Sequence, residues 1–235
     1  MTKKVAVILS GCGVFDGSEI YESVITLLSL DKAGAEVQCF APNIPQMHVI
    51  NHLTGEVAEG ENRNVLVEAA RLVRGEIKAL SEAQAEDFDA AILPGGFGAA
   101  KNLCDFAIKG ADLSLNEDVT RFVQAMHQAE KPVGLMCIAP AMVGKLFGEG
   151  VHFTIGNDRE TAAAIEATGA VHEHCPVNNI CIDGTNNVVT TPAYMLAESI
   201  SEAARGIEKL VEAVLMQVKS SSYTEVSENS LNKGE

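Results

Sequence analysis

Residues 131–142 read Lys-Pro-Val-Gly-Leu-Met-Cys-Ile-Ala-Pro-Ala-Met. An apolar run suited to a buried strand ends at Cys137, and a helix-forming segment opens directly after it. That strand–turn–helix context is a nucleophile elbow. A sharp turn at a strand end exposes the side chain it carries. The helix that follows points its free N–H groups and positive dipole end at the sulfur, which favours thiolate. The segment reads equally as a core cysteine, because a free cysteine packs as a small hydrophobe. The glycines that flank the tightest elbows are replaced here by Leu135 and Ala139.

In a parallel sheet, sites form in the loops beyond the carboxyl ends of the strands. Two more such loops carry useful groups. Gly11-Cys12-Gly13-Val14-Phe15-Asp16-Gly17-Ser18-Glu19 follows the first expected strand and delivers Glu19 into a helical first turn. Pro94-Gly95-Gly96-Phe97-Gly98 follows a central strand, and its glycines allow backbone N–H groups to approach a substrate, as an oxyanion hole requires. The N–H of Ile138 lies beside the nucleophile as a second donor. The plain alternatives are a solvated Glu19 favoured by the helix dipole and a simple Gly95-Gly96 turn. Gly11-x-Gly13 and Gly96-x-Gly98 do not extend to a dinucleotide fingerprint, and a Walker-type Gly-Lys-Ser/Thr is absent.

A Cys–His triad needs an imidazole, and none stands directly after Cys137, where Ile138 is found. His127 falls within a helical segment and His152 at a strand start. His172 and His174 share a strand face near Cys175 and Cys181 but lack a closed zinc spacing, so no metal site is assigned. His52, within Ile50-Asn51-His52-Leu53-Thr54, lies in a loop-rich region with a route to the site.

The elements that must hold these residues alternate between short apolar runs and amphipathic segments. Strands are expected at 5–10, 36–41, 90–93, 132–136, 151–155, 171–175, 180–182 and 188–191, with a short strand or loop at 47–53. Helices are expected at 18–33, 63–73, 117–130, 138–147, 159–168 and 193–218. The strand runs are continuously apolar, which indicates a sheet covered on both faces: a doubly wound α/β fold. One domain over 1–218 accounts for the pattern, and the polar residues 219–235 read as a disordered tail.

Composition narrows the function further. The 235 residues carry 17 basic and 32 acidic side chains, a formal charge of −15. This disfavours nucleic acid and anionic membranes as partners. Leu9-Ser10-Gly11-Cys12 resembles a lipoprotein cleavage box, but the preceding apolar run is shorter than the roughly 7–15 residues of a signal core. Nor does any segment reach the roughly 18 apolar residues of a membrane span. Six cysteines, at 12, 39, 104, 137, 175 and 181, sit mostly in apolar runs and read as reduced thiols of a cytoplasmic protein.

Taken together, Ser10-Gly11-Cys12-Gly13, Asp16-Gly17-Ser18-Glu19, Asn51-His52-Leu53-Thr54-Gly55-Glu56, Pro94-Gly95-Gly96-Phe97-Gly98-Ala99-Ala100-Lys101-Asn102, Met136-Cys137-Ile138-Ala139-Pro140 and Thr191-Pro192-Ala193-Tyr194-Met195 resemble the ElbB glyoxalase family. That family is also called sigma cross-reacting protein or isoprenoid-biosynthesis protein with an amidotransferase-like domain. It belongs to the flavodoxin-like class I glutamine amidotransferase-like superfamily, with the PfpI-type proteases and the parkinsonism-associated deglycase. The resemblance spans about residues 3–217. It implies a reactive Cys137, Glu19 in contact with the thiol, and an oxyanion loop at Gly95 and Gly96. It also implies a homodimer acting on a small aldehyde, glyoxal to glycolate or methylglyoxal to lactate, without metal, flavin or glutathione. Two departures matter. PfpI-type proteases place His directly after the cysteine, where Ile138 stands. Glutamine amidotransferases carry His-x-Glu near the C-terminus, where Thr191-Pro192-Ala193-Tyr194 has no histidine. A redox-sensing or regulatory interaction protein linked to isoprenoid metabolism is the alternative from another class, and an amidase or amidotransferase subunit is a weaker one.

Overall fold

The computed structural model describes residues 2–219. Its strands are β1 (Lys4–Ile8), β2 (Glu36–Ala41), β3 (Ile50–Asn51), β4 (Glu56–Val57), β5 (Ile77–Ala79), β6 (Ala90–Leu93), β7 (Val133–Met136), β8 (His152–Phe153), β9 (Val171–His172), β10 (Cys181–Asp183) and β11 (Val188–Thr191). Its α-helices are α1 (Ile20–Lys32), α2 (Val65–Ala69), α3 (Phe97–Lys101), α4 (Phe106–Lys109), α5 (Glu117–Gln128), α6 (Val143–Phe147), α7 (Arg159–Glu166) and α8 (Ile200–Gln217).

Seven strands build one sheet in the order β10-β11-β7-β6-β1-β2-β5. All neighbours run parallel except β10, which pairs antiparallel with β11. Val5 and Val7 face a layer that includes Ile207, Leu210 and Val214 of α8. Ala6 and Ile8 face the opposite layer, with Val119, Phe122 and Met126 of α5. Successive side chains of a strand point to opposite faces, so a sheet covered on both sides needs unbroken apolar runs. The doubly wound α/β fold follows from that pattern.

Several elements differ from the sequence-based expectation, each for a local reason. The expected strands at 151–155 and 171–175 shrink to β8 and β9, a separate two-stranded parallel pair. The helix expected over 63–73 divides into α2 and a 3-10 turn, Ala70–Val73, ended by Arg74 in the left-handed region. The long C-terminal helix starts at Ile200, where the Ser199 hydroxyl accepts the N–H of Glu202 and caps it; Ala193–Met195 is a separate 3-10 turn. Three-residue β5 and the five- and four-residue helices α3 and α4 are too short for a periodic signal. Of the tail expected over 219–235, only Lys219 is described, in an ion pair with Glu130; the rest lies outside the described residues.

Gly134 sits in the middle of β7, three residues before the elbow cysteine and under α8. A Cβ there would stand 2.8 Å from Leu210 Cδ2 and 3.0 Å from Val214 Cγ2. Gly134→Val is therefore expected to destabilise the protein by about 1–3 kcal/mol through overpacking. Urea unfolding of both proteins measures the difference, and an unchanged midpoint would contradict the packing described.

Candidate active site

The elbow forms where β7 ends. The Cys137 N–H donates to Thr191 O of β11 at 3.0 Å, continuing the ladder for one residue. The chain then turns sharply, with Cys137 at φ 59°. A non-glycine residue in that region costs on the order of 1–3 kcal/mol and persists where its surroundings hold it. Here Pro140 enters the 3-10 turn Ala139–Met142, which leads into α6. Cys137 is thus carried past the strand end, yet the residue is only 7% exposed.

The carboxyl group within hydrogen-bonding reach of that thiol belongs to Glu22, not Glu19. Glu22 lies in the first turn of α1 and is completely buried. Its Oε2 accepts the Gly95 N–H at 2.8 Å, and its Oε1 accepts the Tyr194 N–H at 3.2 Å. Glu19 is the N-cap of α1, and its Oε2 accepts the Glu22 N–H at 2.7 Å. The expectation that Glu19 contacts the thiol is corrected on this geometry. One helical turn separates the two residues, and the capping role turns Glu19 back onto its own helix.

The glycine pair does two separate jobs. A Cβ on Gly95 would collide with Cys137 Cβ and lie 2.7 Å from Glu22 Oε2. Only glycine allows that approach, and its N–H is committed to Glu22 rather than open to an oxyanion. Gly96, at φ 92°, packs against the backbone of Gly17 and Glu19 with no room for a side chain. The N–H groups of Gly96 and Ile138 face the Cys137 sulfur and favour its negative charge. The pair of donors is therefore Gly96 and Ile138.

His52 is placed elsewhere. Its Nε2 accepts the Phe15 N–H at 3.2 Å and stands 3.8 Å from Asp16 Oδ1, while Nδ1 meets Ile50 O at 3.0 Å. Its ring packs on Phe15 with centroids 5.1 Å apart. Nε2 thus fastens the β3–β4 ribbon to the loop after β1, while Nδ1 is engaged within the ribbon itself. His172 Nε2 faces the Ile155 N–H, and among the described residues no three His, Cys, Asp or Glu side chains gather to hold a metal.

Electrostatics make the Cys137–Glu22 pair a proton store. Burial pushes the Glu22 carboxyl up to about 7, the neighbouring Glu19 charge adds to the shift, and the hydrogen bonds from Tyr194, Cys137 and Gly95 oppose it. Burial, then the charge of Glu22, holds the Cys137 thiol well above its usual range, against the pull of the Gly96 and Ile138 amides. Glu19 is also raised, by burial, with the first-turn amides of α1 working the other way. Losing one proton from the pair leaves a single proton between carboxylate and sulfur. Each end has two N–H donors ready to stabilise a negative charge.

A sulfur nucleophile, a buried carboxyl base and two convergent amides are the parts of an addition to a carbonyl. A family model described as the DJ-1/PfpI family matches residues 3–151. The chain belongs to the DJ-1/PfpI family. A human protein named "Glutamine amidotransferase-like class 1 domain-containing protein 3, mitochondrial" is 48% identical over 221 residues, covering 90% of this chain and 82% of its own. The rat "ES1 protein homolog, mitochondrial" is 47% identical over 221 residues, covering 90% and 83%. Among solved structures, an isoprenoid biosynthesis protein with an amidotransferase-like domain from Ehrlichia chaffeensis superposes with a TM-score of 0.86. It has 35% identity and covers 93% of this chain and all of that one. No described helix is long and apolar enough to cross a membrane.

Glu22 escaped the sequence reading because α1 is built against its apparent amphipathicity. Glu22, Thr26 and Leu30 recur at i, i+4 and i+8 and are buried, while Ile20, Val24 and Leu28 on the other side are 42–47% exposed. The available signal was a carboxylate on the stripe that ends in Leu30.

The buried carboxyl has a consequence for stability. Its folded pKa of about 7 lies above the unfolded value of 4.5. Between those values the folded state holds a proton that the unfolded state has released. The stabilisation is therefore full below 4.5 and is lost as pH rises through about 7. The loss is on the order of 3 kcal/mol. Urea titrations of wild type and Glu22→Gln at mildly acidic and mildly alkaline pH measure it. The expected outcome is a variant that gains on wild type as pH rises, and parallel pH profiles would refute the buried-acid assignment.

Proposed function

We propose that the protein is a cofactor-independent glyoxalase, converting glyoxal and water to glycolate, and methylglyoxal to lactate, through a hemithioacetal on Cys137. The observation that carries this reading is the buried Glu22 carboxyl against the elbow thiol, with the Gly96 and Ile138 amides on the sulfur. The likeness to the ElbB glyoxalase family at the motifs above supports the substrate class. The 7% exposure of Cys137 fits an aldehyde of two or three carbons better than a peptide.

The chemistry balances without an external oxidant. The sulfur adds to the aldehyde carbon, its proton passes to Glu22, and the carbonyl electrons become an oxyanion held by the Gly96 and Ile138 amides. The oxyanion is protonated to the hemithioacetal. Glu22 then removes the proton from the carbon bonded to sulfur, and the electrons move into the adjacent carbonyl as an enediol. Returning a proton to the far carbon produces the thioester of the 2-hydroxy acid. Water attacks that carbonyl, the C–S bond breaks, and the hydroxy acid leaves with Cys137 regenerated. The carbon oxidised and the carbon reduced belong to the same substrate.

In this mechanism Glu22 takes the base and acid roles expected of Glu19, and Glu19 fixes the helix start that presents it. A glutaminase reading has less support, since the loop after β11 gives Glu22 a backbone N–H where amidotransferases carry an imidazole. The human and rat relatives are named as mitochondrial. Six free cysteines suit a reducing aqueous compartment, the cytoplasm expected from the sequence being one.

Turnover of glyoxal to glycolate without glutathione tests the proposal. Wild type is expected within the enzymatic range of about 10⁴–10⁸ M⁻¹s⁻¹ in kcat/KM. Cys137→Ala should fall to background, and Glu22→Gln by about 10²–10⁴-fold. Glu19→Gln keeps an acceptor for the Glu22 N–H and should stay within about tenfold of wild type. Turnover that survives Cys137→Ala would overturn the reading.

A further inference from the structure

The short pair β8–β9 and the helix between its strands form a groove that the chemistry above does not use. β8 and β9 run parallel, with His152 beside Val171 and Phe153 beside His172. After α7 the chain reverses at Gly169, φ 98°, so that β9 runs back along the helix. Arg159, Ala162 and Glu166 recur at i, i+3 and i+7 and share one face of α7. His172 and His174 alternate onto one face of the opposing strand segment. These five residues and Asn157 line a cavity of about 320 Å³. That volume is at the small end of ligand pockets.

Charge is sorted along the groove. Glu166 marks one end, where its Oε1 accepts the His172 N–H at 3.2 Å. Arg159 stands two helical turns away, about 10 Å along the axis. His174 follows His172 toward the Arg159 end, and β8 leads Asn157 to the same end. Among the described residues, Arg159 has no ion pair. The side chains of Asn157 and His174 likewise have no hydrogen-bond partner among the described residues. Asp158 is turned onto its own helix, where Oδ1 accepts the Thr161 N–H at 2.7 Å. His172 adds a donor: its Nε2 accepts the Ile155 N–H at 3.4 Å, which assigns the ring proton to Nδ1. Among the described residues no three ligands gather for a metal, so a guanidinium, two imidazoles and an amide suit an anion.

We propose that this groove is a binding site for a small phosphate-bearing anion, seated on Asn157, Arg159 and His174. The donors approach from the loop after β8, the first turn of α7 and the end of β9. Three directions of approach match the oxygens of a tetrahedral phosphoryl group better than the single plane of a carboxylate. The −15 charge of the chain disfavours anions over the surface as a whole, so binding depends on these local donors. The groove shares no residue with the carboxyl–thiol site, and it stands whether or not glyoxal is the substrate.

Titration of the isotope-labelled full chain with inorganic phosphate, glycerol 3-phosphate or acetate, at one pH and constant ionic strength, tests the site. The histidine ring signals in the NMR spectrum report binding. Both phosphates are expected to shift His172 and His174 saturably, and acetate to bind at least about tenfold more weakly. Arg159→Gln should weaken phosphate at least about tenfold and Arg159→Lys by less, with the urea midpoint unchanged in both. Arg205→Gln, in α8 and outside the groove lining, should bind as wild type does. Tighter binding of glycerol 3-phosphate than of phosphate would mark an ester as the ligand, and equal or weaker binding the free ion. Shifts that do not saturate, acetate binding as tightly as phosphate, or Arg159→Gln binding as wild type would overturn the site. So would saturable ring shifts with zinc chloride, in a phosphate-free sample, that vanish in Glu166→Gln, since they would make the groove a metal site.

Discussion

Burial of the Glu22 carboxyl against the Cys137 sulfur is the constraint around which this site is organised. Removing an ionisable group from water is costly, and the cost is met by donors from three separate elements. Gly95 gives an N–H from the loop after β6, Tyr194 one from the loop after β11, and Gly96 and Ile138 face the sulfur. Each donor comes from the carboxyl end of a central strand, or from the turn just past it. The parallel sheet brings them together because β7 lies between β6 and β11.

That convergence explains the unusual backbone. Cys137 and Ala193 occupy left-handed conformations at the ends of adjacent strands, and both turns aim a group at Glu22. Gly95 must lack a side chain so that the carboxyl and the thiol can both approach it. The strain is local and the anchoring is distributed: the Cys137 N–H is held by Thr191 O, and the Thr191 hydroxyl by Asn179 O. A site fixed by backbone donors needs little reorganisation when charge moves between carboxyl, sulfur and substrate oxygen.

The parts of this arrangement legible in the sequence are those written in continuous apolar runs. β1, β2, β6, β7 and β11 stand out because buried parallel strands tolerate few polar residues, and Cys137 stands out because its run stops at a helix start. Glu22 was hidden by the outward-facing Ile20, Val24 and Leu28, which give α1 the wrong apparent inner face. The role of Gly95 was hidden as well: the glycine pair signals close backbone approach, but not which of its amides is already taken. His52 looked available because its partners, Phe15 and Asp16, are more than thirty residues away in the chain. The strand at β8 was overestimated because the β-branched residues Thr154 and Ile155 continue the run past the point where pairing ends.

The most direct test of the shared-proton account is the pH dependence of Cys137 modification by a neutral thiol reagent, in wild type and in Glu22→Gln. The account requires a rise in wild-type reactivity near the Glu22 value of about 7, as the first proton leaves the pair. It requires that this step vanish in Glu22→Gln, leaving one titration belonging to the thiol alone. A step near neutrality that persists unchanged in the variant would mean that Cys137 titrates by itself, and would contradict the assignment of Glu22 as its proton partner.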